Sequence, residues 1–236
     1  MIPVLRAVAA AKTYQDGDGS PVQVLAGVDL EIRASEFVAI IGASGAGKST
    51  LLHLLGALDR PSAGTIEIDG RDLAPLSGEA LAQIRTRRIG FVFQFHHLLR
   101  DFTAIENVMM PLLIGGMAET EATDRANQVL GRLGLSHRTR HFPSQLSGGE
   151  RQRIAVARAV ATEPGVVLAD EPSGNLDPPN AAILHDLLGA LRADFGTAVV
   201  VATHNFDLAG RADRVLRLER GLLVDEAVAT SVGPIR

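Results

Sequence analysis

The chain has 236 residues, with 27 acidic and 23 basic side chains and a net charge of −4 at pH 7. It has no cysteine, which excludes disulfides, cysteine-ligated zinc and iron–sulfur clusters, and its acidity argues against nucleic-acid binding through a broadly basic surface. No apolar run approaches the roughly 18 residues of a membrane span, and residues 1–6 lack the pattern of a signal peptide. We therefore expect a soluble, cytoplasmic chain.

Short apolar runs alternate with helical patterns along the chain. Strands are predicted over residues 22–33, 36–41, 64–70, 89–93, 166–169 and 197–202. Helices are predicted over residues 51–58, 150–162 and 180–192. This alternation predicts an α/β fold with a mainly parallel sheet. The mostly helical stretch 95–162 predicts a subdomain inserted in a single domain, residues 1–236.

Residues 42–49, Gly-Ala-Ser-Gly-Ala-Gly-Lys-Ser, fit the pattern G-x-x-x-x-G-K-[ST] between a predicted strand and a predicted helix. Glycines let successive backbone N–H groups point at phosphate oxygens, and the following helix adds its positive end. Lys48 would place its charge on the β- and γ-phosphates, and the Ser49 hydroxyl would bind Mg²⁺. This phosphate loop predicts a nucleoside triphosphate site. Its candidate binding residues are Gly42, Ala43, Ser44, Gly45, Ala46, Gly47, Lys48, Ser49 and Thr50.

Two acids, Asp170 and Glu171, end the apolar strand 166–169. Ligands bind at the carboxyl ends of parallel strands, so we expect Asp170 to face the phosphate loop and hold Mg²⁺. Glu171 would act as a general base or orient a water molecule. Acids are common at strand ends, and it is the phosphate loop that favours the catalytic interpretation.

The segment Leu-Ser-Gly-Gly-Glu-Arg-Gln, residues 146–152, directly precedes a predicted helix. Ser147 and Glu150 fit a capping box, in which each side chain bonds the backbone N–H of the other residue. A capping box does not explain the consecutive glycines Gly148 and Gly149, which would expose N–H groups to an anionic ligand. Together with the phosphate loop and the acidic strand end, this segment resembles the ATP-binding-cassette (ABC) ATPases. The resemblance covers about residues 4–226.

The resemblance implies a P-loop NTPase core with a mainly parallel sheet, an antiparallel β subdomain and an inserted helical subdomain. It also implies roles by position. Tyr14 would stack on adenine, Gln94 would contact Mg²⁺ and sense the γ-phosphate, and His204 would contact the γ-phosphate. For Tyr14 an exposed loop residue is the alternative. Asp177 would communicate across a dimer, or would begin a helix with Pro178 in its first turn.

The same resemblance implies a homodimer in which two chains pack head to tail. ATP on the phosphate loop of one chain would be covered by Ser147, Gly148 and Gly149 of the other. Water would then attack the γ-phosphate, and hydrolysis would reopen the dimer. ATP and Mg²⁺ are the implied cofactors.

The stretch 95–115 after Gln94 resembles the ATPase subunits of lipoprotein-releasing transporters of Gram-negative bacteria, except that Arg100 stands where proline is usual. The implied partners are integral membrane permease subunits, with no nucleic acid, and the implied location is the cytoplasmic side of the inner membrane. His96 and His97 would then help to dock a helix of a membrane subunit. A solvated pair or a metal site is the alternative.

Other functions stay open at this point. A sister cassette of the macrolide-exporter or cell-division type would share nearly all these motifs. A soluble cassette ATPase acting on DNA or in cluster assembly is less favoured, since the chain has no cysteine, no heptads and room for one cassette only. An ATP-binding scaffold would be expected to lack Glu171 or His204, and both are present.

Overall fold

The computed structural model describes residues 2–226, which form ten strands and seven α-helices. The strands are β1 (Leu5–Gln15), β2 (Pro21–Ile32), β3 (Phe37–Ile41), β4 (Ala63–Ile68), β5 (Arg71–Asp72), β6 (Ile89–Phe93), β7 (Val166–Asp170), β8 (Ala198–Ala202), β9 (Arg214–Glu219) and β10 (Leu222–Asp225). The helices are α1 (Lys48–Leu55), α2 (Gly78–Arg88), α3 (Ala104–Ile114), α4 (Glu119–Arg132), α5 (Gly148–Val160), α6 (Pro178–Phe195) and α7 (Phe206–Ala209).

Six strands form one sheet in the order β10-β9-β3-β8-β7-β6, and every neighbouring pair is parallel except β10 with β9. This confirms the predicted mainly parallel sheet. The second sheet, in the order β2-β1-β4-β5, is antiparallel, as the family resemblance implied. Strands β1, β5, β9 and β10 and helices α2 and α7 were not predicted from the sequence.

The central strand β3 is buried along its whole length and supplies both hydrophobic cores. Phe37, Ala39 and Ile41 pack into the core that includes α3, α4, α5 and α6. Val38 and Ile40 pack into the core shared with α1 and the antiparallel sheet. Alternate strand residues point to opposite faces of the sheet, so a continuous apolar run packs into the hydrophobic cores on both faces. Within residues 2–226 we find no helix with the length and apolar character needed to cross a membrane.

Candidate functional site

The phosphate loop turns directly from β3 into α1. Gly47 occupies the N-cap position of α1 with a φ of +100°, and a Cβ there would lie 2.8 Å from Val24 Cγ1, so any other residue would be strained and would displace the Val24 side chain. Lys48 is 8% exposed, and its Nζ donates to the carbonyls of Gly42 (2.9 Å) and Ala43 (3.1 Å). The loop therefore holds a positive charge at a helix N-terminus, an arrangement suited to phosphate.

A cavity of about 410 Å³ brings the phosphate loop together with the carboxyl ends of β7 and β8. β3, β8 and β7 are adjacent and parallel, so the segments that follow them meet at one edge of the sheet. The cavity is lined by Val24, Ser44, Gly45, Gly47, Lys48, Ser49, Thr50, Asp170, Glu171 and His204. Six of the nine predicted phosphate-loop residues, both acids and the histidine were separate predictions from the sequence, and here they share one cavity, whereas Gly42, Ala43 and Ala46 are not part of its lining.

Glu171 lies between this cavity and the segment that follows β8. Its Oε2 accepts hydrogen bonds from Thr203 Oγ1 (3.1 Å) and from the His204 N–H (3.3 Å), and its Oε1 lies 2.8 Å from His204 Nδ1. The Glu171 side chain is 17% exposed, whereas that of His204 is 73% exposed. The carboxylate is thus fixed at the cavity wall, where an acceptor-only group can orient water.

Gln94 lies outside this cavity and contacts the segment after β7 instead. Its Nε2 donates to Asn175 Oδ1 (3.2 Å), and Asn175 Nδ2 donates back to the Gln94 carbonyl (3.2 Å). Of the three predicted metal ligands, Ser49 and Asp170 line the cavity and Gln94 does not. Among the described residues, no cluster of three His, Asp or Glu side chains is arranged to hold a metal ion.

Tyr14, on β1, also lies outside the cavity lining. Its hydroxyl donates to Asp59 Oδ2 (3.0 Å), and Lys12 Nζ lies 4.9 Å from the ring centroid while donating to Asp59 Oδ1 (2.8 Å). Burial, followed by the hydrogen bond with Asp59, raises the pKa of Tyr14. Burial opposes ionisation of Asp59, but the hydrogen bond from Lys12 and its other donors lower the Asp59 pKa. The ring is therefore held by a charged pair and is 38% exposed.

Ser147 begins α5 in the predicted capping box. Its Oγ accepts from the Glu150 N–H (3.2 Å), and Glu150 Oε2 accepts from the Ser147 N–H (2.8 Å). Glu150 Oε1 also accepts from Arg138 Nε (2.7 Å), a contact that the sequence analysis missed. Burial would raise the pKa of Glu150, but the hydrogen bonds from Ser147 and Arg138 outweigh it and lower the pKa to about 2.

The two glycines that follow Ser147 differ in their surroundings. A Cβ on Gly149 would lie 2.1 Å from Asn180 Oδ1 on α6, so packing of α5 against α6 requires this glycine. A Cβ on Gly148 would meet Leu176 Cδ2 at 3.8 Å, an ordinary contact. Packing therefore accounts for Gly149, which the sequence analysis had attributed to ligand binding alone. Ser147, Gly148 and Gly149 all lie outside the phosphate-loop cavity.

Asp177 occupies the N-cap position of α6, and Pro178 is the first helical residue. Its side chain makes no bond to the helix backbone, and its Oδ1 instead accepts from Asn180 Nδ2 (2.6 Å). The helix-start alternative thus describes its position, but the Asp177 side chain does not cap the helix. Asn180 connects Asp177 with Gly149 on α5.

The parallel sheet, the phosphate loop and the two carboxylates beside it are features of a P-loop nucleoside triphosphatase. A family model described as ABC transporter matches residues 25–174, and the chain belongs to this family. The chain is 51% identical to the lipoprotein-releasing system ATP-binding protein LolD of Idiomarina loihiensis, over 94% of this chain and 97% of that protein. It is 53% identical to LolD of Pseudomonas syringae pv. tomato, over 91% of this chain and 94% of that protein.

Solved structures agree with this assignment. An ATP-binding cassette in a dimeric post-hydrolysis state, bound to ADP and Pi, superposes with a TM-score of 0.86 at 38% identity. The match covers 94% of this chain and 97% of that one. A subunit of an ABC transporter complex from Clostridium perfringens superposes with a TM-score of 0.83 at 28% identity, over 95% of this chain and 88% of that one.

Proposed function

We propose that the chain is the LolD-like ATPase subunit that powers the release of lipoproteins from the inner membrane toward the outer membrane. The similarity to LolD proteins over nearly the whole chain carries this proposal. Residues 1–236 would form one nucleotide-binding domain, with residues 95–162 as its helical subdomain. The protein would act at the cytoplasmic face of the inner membrane, as a peripheral subunit.

ATP would bind with its phosphates on the phosphate loop, residues 42–50. Lys48 would turn from the carbonyls of Gly42 and Ala43 to the β- and γ-phosphates, because Lys48 lines the cavity in which the phosphates would lie. Tyr14 would present the ring face away from Lys12 to the adenine. Mg²⁺ would neutralise charge on the phosphates. Ser49 and Asp170 line the cavity and would hold Mg²⁺ through oxygen ligands, which this cation prefers. Gln94 would join them after it leaves Asn175.

Hydrolysis would depend on Glu171 and His204. Glu171 orients the attacking water or accepts its proton, because the three contacts from Thr203 and His204 fix the carboxylate at the cavity wall. The exposed imidazole of His204 would contact the γ-phosphate. These residues supply positioning and electrostatic stabilisation, which dominate phosphoryl transfer.

A second copy would complete the site. Ser147, Gly148 and Gly149 lie outside the cavity of their own chain, and they would cover the ATP held by the other chain. Asp177 would lie at the contact between the copies, next to Asn180 and Gly149. The related cassettes that were solved as dimers support this arrangement.

The permease partners would resemble LolC and LolE and would dock on the surface after Gln94. Leu99 and Phe102 are 41% and 37% exposed, so they are available to a partner helix, whereas Leu98 is 8% exposed and belongs to the core. Next to this segment, a groove of about 190 Å³ is lined partly by Phe91, Phe93, Pro111, Ile114 and Arg158. Such apolar surface suits an amphipathic helix.

The proposal is tested by purifying the chain with the membrane subunits that bind it and measuring lipoprotein release from membrane vesicles. Glu171→Gln should bind ATP, accumulate as a closed dimer and lower hydrolysis by about 10²-fold or more, since it removes the carboxylate while preserving its shape. Release of lipoprotein should stop in parallel. A complex that hydrolyses ATP but releases no lipoprotein would contradict the assignment of substrate.

A mixing experiment tests the composite site. Lys48→Ala and Ser147→Arg should each be inactive as homodimers. A mixture should recover part of the activity, because one heterodimer can contain one intact site. Full activity in pure Ser147→Arg protein would contradict a site shared between two chains.

A further inference from the structure

His185 is a buried polar residue on the otherwise apolar inner face of α6. The inner face of this helix consists of Leu184, Leu188 and Leu191, all fully buried, together with His185, which is 3% exposed. A buried polar group generally needs a hydrogen-bond partner. His185 Nε2 lies 2.9 Å from Ser173 Oγ, and Ser173 is itself 7% exposed.

Ser173 belongs to the carboxylate loop, residues 171–177, which connects β7 to α6. Two successive turns shape this loop, with the Gly174 N–H donating to the Glu171 carbonyl (3.0 Å) and the Leu176 N–H donating to the Ser173 carbonyl (3.1 Å). Ser173 takes part in both turns. A shift of the Ser173 backbone would therefore move Glu171 on one side and Asn175 on the other.

Glu171 has a φ of +43°, a left-handed conformation that is uncommon for a residue other than glycine. Such a conformation persists only where the surroundings hold it. The Glu171 N–H donates to the Ala202 carbonyl (2.8 Å), which fixes the start of the loop to β8. The bond between Ser173 and His185 fixes the loop from the side of α6.

The burial of His185 favours a neutral ring. Burial lowers the pKa of His185, and Arg211 lowers it further, whereas Asp207 and Asp186 raise it. At neutral pH the contact is thus a hydrogen bond between two uncharged groups inside the protein, where such a bond defines geometry without the cost of burying a charge.

We propose that His185 is a positioning residue, which holds the carboxylate loop through Ser173 and thereby fixes the direction of the Glu171 carboxylate. This inference rests on the proposed role of Glu171 in hydrolysis. His185 also lines a second cavity, of about 650 Å³, whose wall includes Glu171, Ser173 and His204. Glu171 and His204 line both cavities, so His185 shares a cavity with the two residues that face the phosphate loop.

The test uses the full chain, with kcat and KM for ATP measured beside thermal melting. His185→Phe keeps an aromatic ring in the apolar face but removes the hydrogen bond. We expect kcat to fall about tenfold, with KM changed less than about twofold and Tm not lowered, because a small displacement of a catalytic group costs rate. His185→Gln, whose amide can form a hydrogen bond near the position of Nε2, should recover most of kcat.

Ser173→Ala should lower kcat as much as His185→Phe does. The double variant His185→Phe/Ser173→Ala should have a kcat no lower than either single variant, since both substitutions remove the same contact. Leu188→Met is the matched control on the same helix face and should leave kcat unchanged. A normal kcat in His185→Phe and Ser173→Ala overturns the inference, as does a loss that appears only with a lower Tm and is not recovered by glutamine. Glu171→Gln is measured in parallel to separate the role of Glu171 in hydrolysis from the positioning role of His185. A kcat near that of wild type in Glu171→Gln would contradict the role of Glu171 itself.

Discussion

The ionisation of Glu150 allows a quantitative prediction about the segment proposed to cover the ATP that is bound to the other chain. Its carboxylate accepts hydrogen bonds from the Ser147 N–H and from Arg138 Nε, and its pKa is about 2 against an ordinary value of 4.5. Since one pKa unit corresponds to about 1.4 kcal/mol, ionisation of Glu150 stabilises the fold by at most about 3.5 kcal/mol. The Arg138 side chain is 34% exposed, so solvent screens part of this, and we expect Glu150→Gln to lower the free energy of unfolding by about 2 kcal/mol at pH 7.

The pH dependence follows from the direction of the shift. The pKa of Glu150 is lower in the folded chain, so its contribution is complete above pH 4.5 and is lost as the pH falls toward about 2. Urea unfolding of wild type and Glu150→Gln at pH 7 and pH 4, followed by circular dichroism, measures this. The difference in free energy of unfolding between wild type and Glu150→Gln should be smaller at pH 4 than at pH 7.

Glu106 provides the matched control, because it forms the same capping box with Thr103 at the start of α3. Its contacts through this box involve Thr103 alone, and the residue is exposed. Glu106→Gln should therefore cost less than about 1 kcal/mol. The role assigned to Arg138 would be refuted if Glu150→Gln and Glu106→Gln lowered the free energy of unfolding equally. It would also be refuted if the decrease caused by Glu150→Gln did not depend on pH.

Three further predictions concern other parts of the chain. Tyr14→Ala should weaken ATP binding about tenfold, whereas Tyr14→Phe, which keeps the ring, should bind ATP nearly as wild type does. Equal affinities of wild type and both variants in a nucleotide titration would show that Tyr14 is not part of the adenine site. Asn107→Leu should destabilise the fold by about 3 kcal/mol in urea unfolding, because the fully buried Asn107 amide bonds the Leu99 N–H and three carbonyls between residues 99 and 103. Leu99→Asp should keep the wild-type Tm but fail to co-purify with the membrane subunits, whereas Leu98→Asp should lower Tm strongly because Leu98 is buried. If Leu99→Asp still co-purified with the membrane subunits, the docking surface would lie elsewhere.

Features that depend on neighbouring residues were predictable from the sequence. The phosphate loop, β6 and the capping box of Ser147 and Glu150 each lie within a few consecutive positions, so local periodicity and turn chemistry define them. β1 was missed because its centre, residues 7–11, is mostly alanine and lacks a clear alternation of apolar and polar side chains. α2 was missed because its composition is strongly polar and only Leu81 among its residues is buried.

Contacts between distant residues were decided by the tertiary structure alone. Gln94 bonds Asn175, which is 81 positions away, and this contact turns Gln94 from the cavity where the sequence analysis placed it. Leu98 and Leu99 have the same side chain in adjacent positions, but the first packs into the core and the second faces solvent, because the loop around Asn107 turns between them. The sequence thus supplied the candidate residues of the site, since the chemistry of each side chain is its own, whereas the direction in which each side chain points depends on which strands and helices meet.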